Sequence, residues 1–465
     1  MTARILSTTP AAAPAATPRF GIDRGAARAL LALAAPITGA ALVNMGMSIT
    51  DTVMMGWIGP GALAAGAVIS DIQSIVFYFM SGILSIVSPL VARALGAGRP
   101  EEAARAMQHG ILATFVVALP AFLAIWHSAE LIQLFGVGED VVSMGRDYAH
   151  AIAIAAVLML FVAVWRYLFE AIGRPRVYLA AVFAALPLNA LANQVLMFGW
   201  GPVPAFGLAG AGIASALVAF LLLVILLLYG ALGAAARRLD LFAGLRRIDT
   251  GLLLEIFRLG VPIGFFTIGE VGIFLMATVV VSLYGVDALA AHAITLRAAG
   301  VIYAIPLGLS QATTVRVSHA LGAAEADLIR CAIGSARGVG AVAGFAICAF
   351  LVAGSDIAAG RLGEALSGDI AHVLAGMFVV LGILNLAQGF AAPANAILRA
   401  YKDTRTPMFL CLAGYWLIGM PIALLAAFGF GQDAYGIWLG LASGVFANAV
   451  LINLRLRRVE RRPHA

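Results

Sequence analysis

Two acids and a pair of amides stand where an apolar chain would not ordinarily keep them. Asp51 lies in VNMGMSITDTVMMGWIGPGALAA (43–65), and Glu270 lies in GFFTIGEVGIF; both stretches are otherwise apolar enough to sit in hydrocarbon. An ionisable group at that depth costs several kcal/mol by most scales and points to a site for a proton, a metal ion or a charged ligand. Asp51 could bind H⁺ or Na⁺, or be a carboxylate satisfied structurally by its neighbours. Such a cation site also needs neutral oxygens. LNALANQ offers Asn189 and Asn193, spaced i,i+4 on one helical face. The same amides could instead serve helix–helix hydrogen bonding. Glu270 is a second candidate for an ion or for recognition of a cationic ligand.

Weaker candidates surround these. Asp71 (ISDIQSIVF) and Arg297 (ITLRAAGV) could form an ion pair closing one face of a cleft, or find separate polar partners. His292 and His319 read as hydrogen-bonding residues more readily than as proton carriers; His292 stands near the start of a cleft-lining helix. Arg166 with Glu170, and Arg399 with Asp403, have i,i+4 spacing and read as pairs that brace helix ends.

The elements that must hold these residues follow from composition. The chain has 465 residues, 62% of them hydrophobic and only 11% charged, with mean hydropathy +1.00. A soluble domain of this balance could not cover its surface with polar groups, so the chain is an all-α polytopic membrane protein. Twelve apolar runs, from 29–56 to 434–454, are long enough to cross a bilayer. The net charge of +6 comes from scattered loop arginines with no basic–aromatic platform, which argues against nucleic acid. Cys331, Cys348 and Cys411 form no CxxC or Cys/His spacing, so neither disulfide nor transition metal is expected. No nucleotide-binding or kinase motif is visible, so an ion gradient is the expected driving force, with H⁺ or Na⁺ in place of any cofactor.

The chain is doubled. At an offset of 226 residues, Pro36 falls on Pro262, Gly46 on Gly272, Gly59 on Gly285 and Ala62-Leu63-Ala64-Ala65 on Ala288-Leu289-Ala290-Ala291, and the register holds to Gly96 over Gly322. Asp71 falls on Arg297, whereas Asp51 faces Ala277 and Glu270 faces Asn44. Further on, Arg166 and Glu170 match Arg399 and Asp403 at an offset of 233. Each repeat holds six helices, an even number, so the halves are parallel and related by an axis along the membrane normal, enclosing a central cleft. The expected organisation is a cytoplasmic tail (1–26), an N-lobe (27–230), a linker (231–252), a C-lobe (253–456) and a second tail (457–465). Arginines crowd one set of loops and both ends, while the opposite loops hold only Arg146 and Arg361 among several acids. Both termini are therefore expected in the cytoplasm.

The motifs ITDTVMMGWIG with ALAA, PLVARALGAG, PLNALAN, ALAAHAI, VRVSHALGA and LRAYKDTRTP resemble those of the multidrug and toxic compound extrusion (MATE) transporters, in their NorM-like bacterial branch. The resemblance covers roughly residues 27–455. It implies a V-shaped cleft between two six-helix lobes in a bacterial inner membrane. It also implies efflux of organic cations or other small amphiphiles by antiport with H⁺ or Na⁺, by a protein expected to work as a monomer. By the same resemblance Asp51 is the N-lobe ion-binding acid, with Asn189 and Asn193 as its partners, and Glu270 the acid of a C-lobe cation site. Where the family usually has an Asp on the tenth helix, this chain has Gln388, which offers a carbonyl but no charge. A lipid-linked oligosaccharide flippase of the same superfamily is the alternative; it would usually carry more cleft arginines than Arg297. An enzyme would need a convergent acid–base or metal set such as HExxH. A channel would more often present rings of like residues.

Overall fold

The computed structural model describes residues 23–134, 138–233, 248–363, 368–430 and 433–461. Twelve helices among them are long and apolar enough to cross a membrane. They are α1 (Arg24–Ile58), α2 (Pro60–Gly96), α3 (Pro100–Trp126), α4 (Glu139–Ala171), α5 (Pro175–Phe198) and α6 (Leu208–Leu232), followed by α7 (Thr250–Val281), α8 (Val286–Ala323), α9 (Ala326–Gly363), α10 (Gly368–Ala400), α11 (Arg405–Gly429) and α12 (Asp433–Glu460). The apolar runs read from the sequence coincide with these helices to within a few residues at each end. The 1–26 tail up to residue 22, most of the expected linker (234–247) and the last four residues lie outside the described residues.

Several sequence features set the helix ends and bends. Asp23 caps α1 by accepting from Gly25 N at 2.8 Å, and Asp249 caps α7 by accepting from Gly251 N and Leu252 N at 2.9 and 3.1 Å. These two aspartates are themselves 226 residues apart, so the repeat begins at the cap, ahead of its first proline. Gly59 (φ 148°) and Gly285 (φ 96°) make the equivalent turns into α2 and α8. Helix α2 breaks at Ser85-Ile86, where the Ser85 hydroxyl bonds back to Gly82 O at 2.7 Å. Helix α11 widens into π-helical turns at Ala413–Gly419 and Leu425–Gly429.

One core cluster stays within the second half of the chain, and two others straddle the halves. The first draws only on residues from Phe266 to Leu456. A second is built on α1 to α6 but also takes in Leu309, Ala312 and Val315 of α8 and Ala336 of α9. A third gathers Ile83, Leu84 and Leu160 with Ile256 and Ile263 of α7. With twelve spans, α1 begins and α12 ends on one side, here called the terminal face. The lobes meet on that half of the molecule. A Cβ on Gly96 would stand 2.0 Å from His319 O, and one on Gly322 would stand 2.0 Å from Arg93 O. The crossing of α2 and α8 is therefore built on two glycines at equivalent places in the repeat. Gly308 against Thr38, Gly260 against Ile83 and Gly264 against Phe79 complete the seam with similarly close approaches. Further from the terminal face, Asp71 on α2 and Arg297 on α8 are both exposed.

Candidate functional site

The N-lobe site joins α1 to α5. Asn193 Nδ2 donates to Asp51 Oδ1 at 2.6 Å, and Asn189 is a second side-chain hydrogen-bond partner of the same carboxylate. Both amides project from α5 one turn apart, as their i,i+4 spacing requires. They are buried, at 3% and 0% exposure, and the Oδ1 atoms of both have no hydrogen-bond partner. A half-buried carboxylate thus stands beside two neutral oxygens that the protein leaves free. Buried polar atoms are ordinarily paired, so such orphans call for an explanation. Tyr148 of α4 also stands within reach of the Asp51 charge, its hydroxyl held by Ser70 Oγ at 2.9 Å.

Two turns before Asp51, on the same face of α1, Asn44 donates to the Tyr178 hydroxyl of α5 at 3.2 Å. The ring of Tyr178 lies 5.7 Å from the Arg166 guanidinium carbon, which also covers Tyr167 at 4.7 Å. Arg166 Nε pairs with Glu170 Oε1 at 3.3 Å. A chain of polar contacts therefore runs from the Arg166–Glu170 pair near the terminal face to Asn44, two turns short of Asp51.

The C-lobe site is organised differently. Glu270 of α7 is 8% exposed and accepts three neutral hydrogen bonds. Tyr303 OH of α8 donates to Oε2 at 2.9 Å, and Gln388 Nε2 of α10 and Tyr415 OH of α11 donate to Oε1 at 3.0 and 3.3 Å. Arg399 exerts its charge on Glu270 from nearby, with its guanidinium 5.5 Å from the Phe266 ring centre. Gln388 supplies an N–H where a second acid would supply a charge.

The MatE family model matches residues 36–195 and 262–425. The chain belongs to the MATE family of transporters. The two matched segments begin at Pro36 and Pro262, which are equivalent residues of the internal repeat. Across 92% of this chain and 92% of the relative, it is 31% identical to the probable multidrug resistance protein NorM of Brucella suis. It is 34% identical to the protein of the same description from Pseudomonas aeruginosa, over 92% of this chain and 88% of that one. Among solved structures, it is similar to a mutant of the Vibrio cholerae MATE transporter VcmN, with a TM-score of 0.85 at 17% identity over 94% of this chain and 97% of that chain. It is also similar to the eukaryotic MATE transporter AtDTX14, with a TM-score of 0.81 at 21% identity over 93% and 96% of the two chains. The family is one of membrane transporters, so the chain is a transporter and not an enzyme.

Within this MATE transporter some expected pairings form and others do not. Asp51 meets Asn189 and Asn193, and Glu270 meets Gln388. The Arg166–Glu170 pair forms inside α4. Arg399 and Asp403 do not pair: α10 ends at Ala400, and Lys402 then takes the left-handed conformation (φ 61°). Asp403 is therefore no longer one helical turn from Arg399, and it bonds Arg455 of α12 at 2.8 Å instead. Asp71 and Arg297 do not pair. Neither forms an ion pair among the described residues, although the charge of Arg297 acts on Asp71. His292 is not a cleft residue. It is fully buried, accepts at Nδ1 from Trp438 Nε1 at 3.2 Å and meets Thr278 Oγ1 through Nε2 at 2.9 Å. Because an indole N–H only donates, Nδ1 must be unprotonated, and the ring is held as the neutral Nε2–H tautomer. Sequence reasoning missed Asn44, Tyr178, Tyr303 and Tyr415. Only Asn44 carried a signal, its i−7 spacing from Asp51.

Proposed function

We propose that this protein is a secondary exporter of small amphiphilic, mainly cationic drugs, driven by antiport with H⁺ or Na⁺, with Asp51 as the coupling residue. The observation that carries this reading is the contrast between the two acids. Asp51 is partly open and adjoins two buried amide oxygens with no partner, while Glu270 is buried and closed in by three neutral donors, with one such oxygen, Gln388 Oε1, beside it. A partly open carboxylate with spare oxygens beside it can exchange a proton or a cation; a buried one that already accepts three hydrogen bonds gains less from either. Export of drugs is supported by the relatives from Brucella suis and Pseudomonas aeruginosa, both described as multidrug resistance proteins.

The arginine distribution puts the terminal face in the cytoplasm, in a bacterial plasma membrane. The glycine seam then seals the cytoplasmic half, and the cleft opens outward. In that state ion binding at Asp51 would rearrange its bonds to α5, and by linkage an ion that weakens drug binding is itself released by drug. Pro36, inside α1, removes a helical hydrogen bond and gives that helix a place to bend. The protein needs no cofactor for this cycle and would act as a monomer.

The test is Asp51→Asn against Glu270→Gln in an efflux-deficient host, with drug susceptibility as readout. Asp51→Asn is expected to fall to the level of the empty vector, and Glu270→Gln to retain measurable efflux. Normal resistance with Asp51→Asn sinks the proposal. Repeating the wild-type assay without Na⁺, or with a protonophore, identifies the ion.

A further inference from the structure

On the terminal face, the first turns of α7 and the turn between α10 and α11 enclose a groove of about 390 Å³ that the transport cycle above does not use. Its charges are unbalanced. Lys402 Nζ is 2.6 Å from Glu255 Oε1, and Asp403 is taken by Arg455. That leaves Arg258 and Arg405, both exposed and, among the described residues, without an ion pair or hydrogen-bond partner. Thr404 also lines the groove. It is 3% exposed, and its hydroxyl has no protein partner. Beside these polar groups Leu254, on the same wall, is 68% exposed.

Two uncompensated guanidinium groups and an orphan hydroxyl converge where two helices enter the bilayer, next to an apolar lip. Guanidinium groups pair with phosphate oxygens in bidentate fashion. Basic pockets between helix ends at a membrane surface receive anionic headgroups. A soluble anion would use the arginines but leave Leu254 in water. A lipid would use both. We infer that this groove binds the phosphate headgroup of an anionic membrane lipid, with Arg258 and Arg405 on the phosphate, Thr404 donating its hydroxyl and Leu254 against the adjoining acyl chain. The inference does not depend on the proposed coupling at Asp51.

The probe is phosphatidylglycerol, titrated into the purified full chain in neutral detergent and read by native mass spectrometry. Phosphatidylcholine and inorganic phosphate serve as the other arms. Each basic residue near an anionic headgroup contributes about fivefold to affinity. Arg258→Gln/Arg405→Gln is therefore expected to bind phosphatidylglycerol about 30-fold more weakly than wild type, with phosphatidylcholine binding unchanged and inorganic phosphate unable to compete. Equal phosphatidylglycerol affinity in the two proteins overturns the site. Displacement of the lipid by inorganic phosphate at equal concentration overturns the lipid as its occupant. Should the double variant fold poorly, the single Arg258→Gln and Arg405→Gln proteins carry the same test, each with an expected loss of about fivefold.

Discussion

Substituting the two crossing glycines tests whether the seam on the terminal face sets the resting conformation. In Gly96→Ala the new Cβ would stand 2.0 Å from His319 O, and in Gly322→Ala it would stand 2.0 Å from Arg93 O. Both obstacles are backbone carbonyls on the opposite helix, so no rotamer change relieves them. Restoring an ordinary carbon–oxygen contact requires α2 and α8 to part by about 1 Å. Overpacking of this kind costs about 1–3 kcal/mol. Both positions are helical, so alanine returns up to about 1 kcal/mol of helix propensity. That gain is the same in any conformation and does not offset the bias between states. A differential of about 1–3 kcal/mol corresponds to about a 5–150-fold shift in the equilibrium between the state with this seam closed and the state with it open. Gly334→Ala on α9, where an added Cβ meets nothing within 4 Å, controls for propensity alone. The assay is pulsed electron spin resonance between labels at Arg99 and Glu325, in a background lacking the three cysteines. Both seam variants are expected to lengthen the distance distribution, and Gly334→Ala to leave it unchanged. Wild-type distances in both seam variants, with wild-type melting temperatures, would show that the crossing yields without cost and would refute the reasoning.

The two buried sites make separate predictions. Gln388→Asp replaces an amide that donates to Glu270 with a second carboxylate. Leaving a buried charge uncompensated costs about 3–5 kcal/mol, so the melting temperature should fall in Na⁺-free buffer and rise as Na⁺ is added by more than any rise Na⁺ gives the wild type. Thermal unfolding in the two buffers checks this. His292→Phe leaves the Trp438 N–H buried without its acceptor, which costs about 1–3 kcal/mol. It should lower the melting temperature while leaving the range of exported drugs unchanged, because the ring does not reach the cleft.

What the sequence made legible were features carried by local spacing. An acid within an apolar run and an i,i+4 pair of asparagines are patterns on single helices, and Asp51 meets Asn189 and Asn193 because α1 and α5 pack face to face. The repeat also carried information, placing Gly96 over Gly322 and Asp71 over Arg297. Its limit appears in the second pair. Equivalence in the repeat brings the two helices together at Gly96 and Gly322, but the acid and the arginine further along α2 and α8 stay out of ion-pair contact. The partners of Glu270 were not legible. Tyr303 and Tyr415 come from two other helices, and an aromatic residue in an apolar span has no spacing that marks it as a donor. Asp403 was misread because a helix end decided its geometry: a non-glycine residue, Lys402, takes positive φ there, against the usual steric preference.

The repeat also explains why the two lobes can differ in chemistry on one scaffold. Asn44 and Glu270 occupy equivalent places, and each meets a tyrosine, Tyr178 in one lobe and Tyr303 with Tyr415 in the other. This shared polar node lies nearer the closed terminal half. Asp51 stands seven residues beyond the N-lobe node, about 10 Å further along α1 toward the opposite face at the usual helical rise, while its counterpart Ala277 is fully buried. The N-lobe therefore carries its acid two turns closer to the open side, partly exposed, and keeps a neutral amide at the node. The C-lobe carries its acid at the node itself, enclosed. An acid that must exchange its ion with one side and then the other has to be reachable when the seam is shut. Of the two, only Asp51 occupies such a position in this conformation, and the asymmetry of the repeat thus favours it over Glu270.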